Sequence, residues 1–166
     1  MPSRLGQVLC DEQVAMLVGT VALAVILGVL GFQYLGGIAP CEMCHWQRWP
    51  LIAAALIGLG GGFLVTRGDI GSAMTLAISA IVLVAISGLI GAYQAGMEWH
   101  FLPGPESCSG PQFVLGSNMV PEVRCDIPAI RLLGISLAGY NALISLATAA
   151  IGTFLLTKNH NLKSGH

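Results

Sequence analysis

Polar and apolar positions alternate in long blocks along this chain. Four stretches contain no charged residue: 13–41, 49–66, 70–97 and 132–157, with 29, 18, 28 and 26 residues. Together they hold 101 of the 166 residues. A bilayer core about 30 Å thick is crossed by roughly 20 apolar residues of helix rising 1.5 Å each. The pattern therefore predicts four transmembrane helices, over about Val14–Tyr34, Trp49–Val65, Ala73–Tyr93 and Leu132–Leu156. The first is longer than the apolar region of a signal peptide, about 7–15 residues, and reads as an uncleaved anchor. The second is the shortest. Pro50 suits its first turn, where a missing N–H costs little, and Gly60-Gly61-Gly62 loosens its far end. A fifth charge-free gap, 107–121, holds Gly110, Pro111, Gly116, Ser117 and Asn118, a loop composition.

The expected fold is all-α: a polytopic membrane protein, a four-helix bundle forming one membrane domain over residues 1–166. Loops at about 36–48 and 94–131 then share one side of the membrane. The N-terminus, a tight turn at Arg67-Gly68-Asp69 and the C-terminal tail share the other. Lys and Arg divide almost evenly between the sides: Arg4, Arg67, Lys158 and Lys163 against Arg48, Arg124 and Arg131. The positive-inside rule thus leaves the orientation to other residues. Composition narrows the class further. Only 9% of residues are charged, against about 25% in ordinary soluble domains, and mean hydropathy is +0.78. Disordered, nucleic-acid-binding and typical soluble-enzyme classes are excluded. A net charge of -1 gives no field for steering a polyion.

Five cysteines carry the candidate chemistry. Cys10 stands alone on one side as a free thiol, whereas Cys41 and Cys44 share one face with Cys108 and Cys125. Two pairs on one face point to an oxidising compartment such as a bacterial periplasm. The first pair, in Pro40-Cys41-Glu42-Met43-Cys44-His45-Trp46-Gln47-Arg48, admits three readings. It can be a redox-active C-x-x-C at a helix mouth, where the helix N-terminus and Arg48, four residues on, would favour a Cys44 thiolate. It can be a C-x-x-C-H haem attachment with His45, with Met97, His100 or Met119 as second axial ligand. It can be half of a zinc site with Cys108 and Cys125, although that second pair is separated by 16 residues rather than held in a close knuckle. The second pair alone reads as a structural disulfide, contributing roughly 3 kcal/mol by loop closure. Two adjacent dithiol pairs can also exchange through a mixed disulfide, and a membrane offers a lipid-soluble electron acceptor.

The Pro40–Arg48 segment entering the second helix, the cysteine pair before the last helix, and Gly134-Ile135-Ser136-Leu137-Ala138-Gly139-Tyr140-Asn141 at that helix's start together resemble the disulfide bond formation protein B (DsbB) family of bacterial inner-membrane thiol oxidases. The resemblance implies that Cys41, Cys44, Cys108 and Cys125 are catalytic and that Arg48 and Gln47 bind the cofactor, a quinone (ubiquinone or menaquinone). It implies a periplasmic thioredoxin-fold partner of the DsbA type, whose thiolate attacks Cys108. Cys125 then attacks Cys41, and Cys44 leaves as a thiolate. The chain would lie in the inner membrane with both termini cytoplasmic and the cysteine loops periplasmic. The family resemblance further implies a polar residue, often His, near the end of helix 3; Gln94, Glu98 and His100 are the candidates here. Vitamin K epoxide reductases are a rival of similar architecture, but their C-x-x-C enters the last helix.

Other polar and small residues have plainer readings. Trp46, Trp49 and Trp99 fit an aromatic belt. Gly28, Gly31, Gly134 and Gly139, with the stripe Ser79, Ser87, Gly91 and Gln94, fit close helix packing. Asn141 fits an interhelical hydrogen bond. Glu98, Glu106, Glu122 and Asp126 read as solvated, and Pro111–Val120 as an amphipathic segment at the membrane surface.

Overall fold

The computed structural model describes residues 2–65, 70–105, 108 and 123–164. Four long helices carry most of them: α1 (Pro2–Tyr34), α2 (Glu42–Val65), α3 (Ile70–Glu98) and α4 (Leu137–Ser164). A short antiparallel hairpin precedes α4. Its strands β1 (Arg131–Leu132) and β2 (Ile135–Ser136) pair Arg131 with Ser136 and Leu132 with Ile135. Three segments are long and apolar enough to cross a membrane: Asp11–Tyr34, Ala73–Glu98 and Leu137–Lys158. α2 is not among them; its first two turns carry Glu42, His45, Gln47 and Arg48.

α1 starts at Pro2, twelve residues before the expected Val14, because a helix can run on through polar residues that end an apolar window; local capping explains the other departures. α2 starts at Glu42, seven residues before the expected Trp49. The Cys41 sulfur accepts the Cys44 N–H at 3.2 Å, and the Cys41 carbonyl accepts the His45 N–H at 3.3 Å. Cys41 therefore caps the helix, and a charge-free window cannot reveal a cap. Pro50 consequently lies inside α2 rather than in its first turn. α4 starts at Leu137 rather than Leu132, because Leu133 and Gly134 take left-handed backbone (φ 51° and 85°) to turn the hairpin. The Ser136 hydroxyl then caps α4 by accepting the Gly139 N–H at 3.1 Å. α3 runs on to Glu98 and stops where His100 takes φ 61°. There the Phe101 N–H bonds the Gly96 carbonyl and the His100 N–H bonds that of Met97, both at 2.9 Å, a Schellman closure.

Large apolar side chains face outward and small ones inward. Leu27, Leu56, Leu89 and Phe154 are more than half exposed, whereas Val18, Ala22, Ala54, Ala77 and Ala80 are fully buried. Water would penalise that exterior, and lipid would not. α3 packs against all three other helices and buries residues every three or four positions, from Ala73 through Ala77, Ala80, Val84, Ser87 and Gly91 to Gln94 and Glu98. The tightest crossing is between α1 and α2. A Cβ on Gly58 would stand 2.5 Å from the Ala15 carbonyl oxygen, and one on Gly19 would stand 2.9 Å from the Leu59 nitrogen. Gly91 similarly lets α3 approach Ala138 of α4. Gly28 and Gly31, expected to serve close packing, have nothing within 4 Å of an added Cβ; α1 is open there. The expected Arg67–Asp69 turn and the Pro111–Val120 segment lie outside the described residues, as do Glu106, Glu122 and the Cys10 side chain.

Candidate active site at the cysteine end of the bundle

The ends of α1 and α3 and the starts of α2 and α4 meet at one end of the bundle, and the paired cysteines collect there. Cys41, Cys108 and Cys125 are buried in one cluster with Met97, and Cys44 and Met43 pack against it. Cys108 and Cys125 are joined as a disulfide with Cα atoms 5.4 Å apart. Cys41 and Cys44 are free thiols whose sulfurs lie 2.6 Å apart. The four cysteines singled out in the sequence are thus brought together.

A chain of buried amides lies beneath them. Gln94 of α3 directs its Nε2 at both sulfurs, 3.3 Å from Cys41 Sγ and 3.7 Å from Cys44 Sγ. That orientation is imposed from behind. Gln94 Oε1 accepts from Gln47 Nε2 at 2.5 Å, and Gln47 Oε1 accepts from Asn141 Nδ2 at 2.8 Å. Asn141 Nδ2 also reaches Ser87 Oγ at 3.1 Å, and Asn141 Oδ1 accepts from Ser145 at 2.9 Å. Gln94, Gln47 and Asn141 each find hydrogen-bond partners here, as an apolar interior demands. Gln47 is accordingly a buried link that aims Gln94. Of the three α3 candidates, Gln94 touches the sulfurs, whereas His100 is exposed.

The two thiols are electrostatically unequal. The Cys41 thiol hydrogen bond holds Cys44 down at about 6, with help from the Gln94 amide and the Arg48 charge. Cys41 is pushed up, first by that same shared hydrogen bond with Cys44 and then by burial. The pair therefore loses its first proton from Cys44.

Two clefts flank Cys44. One is walled by Val29, Phe32, Ile38, Leu51 and Leu137, with Cys44, Arg48, Gln33, Gln47 and Asn141 as its polar residues. Arg48 Nη1 donates to Gln33 Oε1 at 2.6 Å, while its Nε is buried with no partner among the described residues. The other lies beneath the 123–130 segment and is lined by Cys41, Cys44, Gln94, Glu98, Arg124 and Ser136, among others. Arg124 is tied to Asp126 by a two-pronged ion pair at 2.9 and 2.5 Å. Gln33 escaped the sequence reading, although a glutamine near the end of an otherwise apolar helix was its visible signal. Asn141 was visible only as an intramembrane polar residue. Glu98, expected to be solvated, is buried instead, because α3 continues through it.

The remaining readings of the first pair find little here. His45 is exposed, and Cys108 and Cys125 are bonded to each other rather than available as thiolate ligands. Among the described residues no three His, Cys, Asp or Glu side chains gather as metal ligands. Trp46, Trp49 and Trp99 are all exposed at this end, as an aromatic belt requires.

Comparison with known proteins agrees with this arrangement. The family model described as disulfide bond formation protein DsbB matches residues 11–155. Disulfide bond formation protein B of Aromatoleum aromaticum is 32% identical over 149 residues, covering 80% of this chain and 86% of that protein. Disulfide bond formation protein B 1 of Pseudomonas fluorescens is 28% identical over 162 residues, covering 92% and 86%. The Polaromonas protein of the same description is 27% identical over 159 residues, covering 89% and 91%. No solved structure matches the chain. With membrane-capable helices, a dithiol and a disulfide packed at one end, and this likeness over most of its length, the chain belongs to the DsbB family and is a membrane oxidoreductase of disulfide bond formation.

Proposed function

We propose that this protein is a thiol:quinone oxidoreductase that reoxidises a periplasmic thioredoxin-fold dithiol protein of the DsbA type. The observation that carries the reading is the position of Cys44: a low-pKa thiol on the wall between the cysteine cluster and the apolar cleft of Arg48.

The partner's thiolate attacks Cys108, the Cys108–Cys125 bond breaks and Cys125 leaves as a thiolate. Cys125 attacks Cys41 of an oxidised Cys41–Cys44 pair, and Cys44 leaves as a thiolate. Gln94 and Arg48 stabilise that charge where it forms. A bound quinone, ubiquinone or menaquinone, supplies an acceptor for two electrons and two protons. The chain's residues fit such a group: flat apolar walls from Val29, Phe32 and Leu51, and one unpaired buried donor, Arg48 Nε, for a ring oxygen. Gln33 holds the guanidinium in place, and Gln47 keeps Gln94 aimed at the sulfurs.

In this reading the apolar part of α2, from Trp49 to Val65, is a fourth crossing, and its first two turns, with Cys44, stand outside the bilayer core. The cysteine end faces the periplasm, where disulfides persist, and both termini are cytoplasmic in the inner membrane.

The test is anaerobic quinol formation by the purified protein in detergent, given a reduced DsbA-type protein and ubiquinone. Wild type turns over, while Cys44→Ser and Cys108→Ser do not. A folded wild type that reduces neither ubiquinone nor menaquinone overturns the proposal.

A further inference from the structure

One titratable group at the cysteine end has no part in the route just described. Glu98 is 4% exposed at the last turn of α3. Its Oε1 lies 3.4 Å from Gln94 Nε2, and its Oε2 is buried with no hydrogen-bond partner among the described residues. A buried carboxyl oxygen left unpaired is costly, so its retention asks for a purpose. The carboxyl lines the same cleft as Cys41 and Cys44.

Its surroundings are polar and tilted toward the charged form: Ser136 and Gln94 donate to the carboxyl, and the Arg131 charge lies nearby. From the entry to α2 it faces the two thiols, and from its own helix the Gln94 amide. From the hairpin it faces Ser136 and Arg131, whose guanidinium donates to the Glu98 main-chain oxygen at 3.3 Å. Across the cleft stands Arg124, already paired with Asp126. The group in direct contact with both sulfurs, Gln94, is an amide and cannot accept a proton in the way a histidine or carboxylate can. Closing the Cys41–Cys44 disulfide nevertheless releases a proton that something must take.

We propose that Glu98 is the proton acceptor for Cys41, and that the cleft beneath the 123–130 segment is the proton outlet. The inference rests on the thiol:quinone reading above. With Cys44 ionised, the Cys41 S–H bond breaks and its proton passes through one cleft water to the Glu98 carboxylate. The freed electron pair on Cys41 forms the S–S bond to Cys44. The two electrons would go to a quinone held on the Arg48 side, which would supply the two-electron acceptor and draw its own two protons from solvent. The proton on Glu98 leaves by its own cleft. Electrons and protons thus part company at Cys44.

The experiment follows disulfide closure in the reduced full-length protein, in detergent, by rapid alkylation across a pH series. Wild type, Glu98→Gln and Glu98→Asp are each compared with two oxidants, a soluble quinone and diamide, the second needing no quinone site. Glu98→Gln closes about 10²-fold more slowly at neutral pH with both oxidants. The wild-type rate rises as the carboxyl ionises and then levels. The Glu98→Gln rate climbs further, following direct ionisation of Cys41. Glu98→Asp restores much of the rate and the wild-type profile. Closure of Glu98→Gln at the wild-type rate with both oxidants overturns the proposal. So does slowing shared equally by Glu98→Asp with no change of pH profile, which marks a structural role. Should Glu98→Gln lose its cooperative thermal transition, the aspartate variant alone carries the comparison. A wild type that closes with diamide in a Glu98-dependent way, yet never with quinone, keeps the proton acceptor and removes the quinone reading.

Discussion

Hydrogen-bond polarity at Gln94 decides what the two sulfurs feel. Its Nε2 can face Cys41 and Cys44 only while its Oε1 is occupied by Gln47, which is in turn held by Asn141, 94 residues further along. The motif from Cys41 to Arg48 was legible in the sequence because its members are neighbours there. This amide relay was not, because its links come from three helices. Two predictions belong at this scale. In the reduced protein Cys44 titrates at about 6 against an ordinary 9.0, so its alkylation rate holds steady above neutrality and falls as pH drops through about 6. The linked stability has the same sign: a lowered thiol pKa stabilises the reduced fold fully above 9.0, and this contribution is lost as pH falls to about 6. Thermal unfolding of the reduced protein across that window checks it, with Cys44→Ser losing the dependence. Replacing Arg48 with Met removes a positive charge from Cys44 and the unpaired Nε from the cleft. The Cys44 titration then moves upward and the KM for quinone rises about tenfold, a loss of about 1.4 kcal/mol, read by steady-state kinetics and alkylation together.

Helix ends and helix crossings are governed by atoms that a hydropathy pattern does not register. The apolar windows located the helices but misplaced their starts, most of all at α1, which already begins at Pro2. The Cys41 sulfur and carbonyl begin α2 among charged residues, and left-handed Leu133 and Gly134 delay α4 to Leu137. Glycines show the same limit. Gly28 and Gly31 looked like packing positions from composition, yet the close approach is at Gly19 and Gly58, and only the register of α1 against α2 makes it so. The contrast is testable. Gly58→Leu forces the two backbones apart and destabilises the protein by about 1–3 kcal/mol. Gly28→Ala meets open space and, by helix propensity, is neutral or stabilising by about 0.5–1 kcal/mol. Thermal unfolding of both variants in one detergent distinguishes them; equal transitions contradict the crossing described here.

As a whole the molecule is built with many bulky apolar side chains outside, small ones within, and most of its buried polar side chains gathered toward one end, Asp11 excepted. That inversion was foreseeable from 9% charge and four long apolar windows, and so was the placing of both cysteine pairs on one face; their burial in one cluster around Met97 was not, since Met97 lies apart from all four along the chain. It predicts that the protein stays with the membrane through alkaline extraction. In spheroplasts, an impermeant maleimide labels a cysteine placed at exposed Trp99 from outside, while a reporter fused after His166 acts in the cytoplasm. Labelling from the inner face instead would reverse the proposed orientation. The burial of Cys41 and Cys108 at 4% and Cys125 at 0% has a further consequence. Exchange between sulfurs depends on access as much as on potential. A relay sealed this far from water is insulated, in the sense that a cable is, and small thiols such as glutathione find no bare metal to touch. Current enters only where a protein partner can press close enough to reach Cys108, so traffic through the relay is metered by molecular fit, and the thiol content of the surrounding fluid has little hold on it.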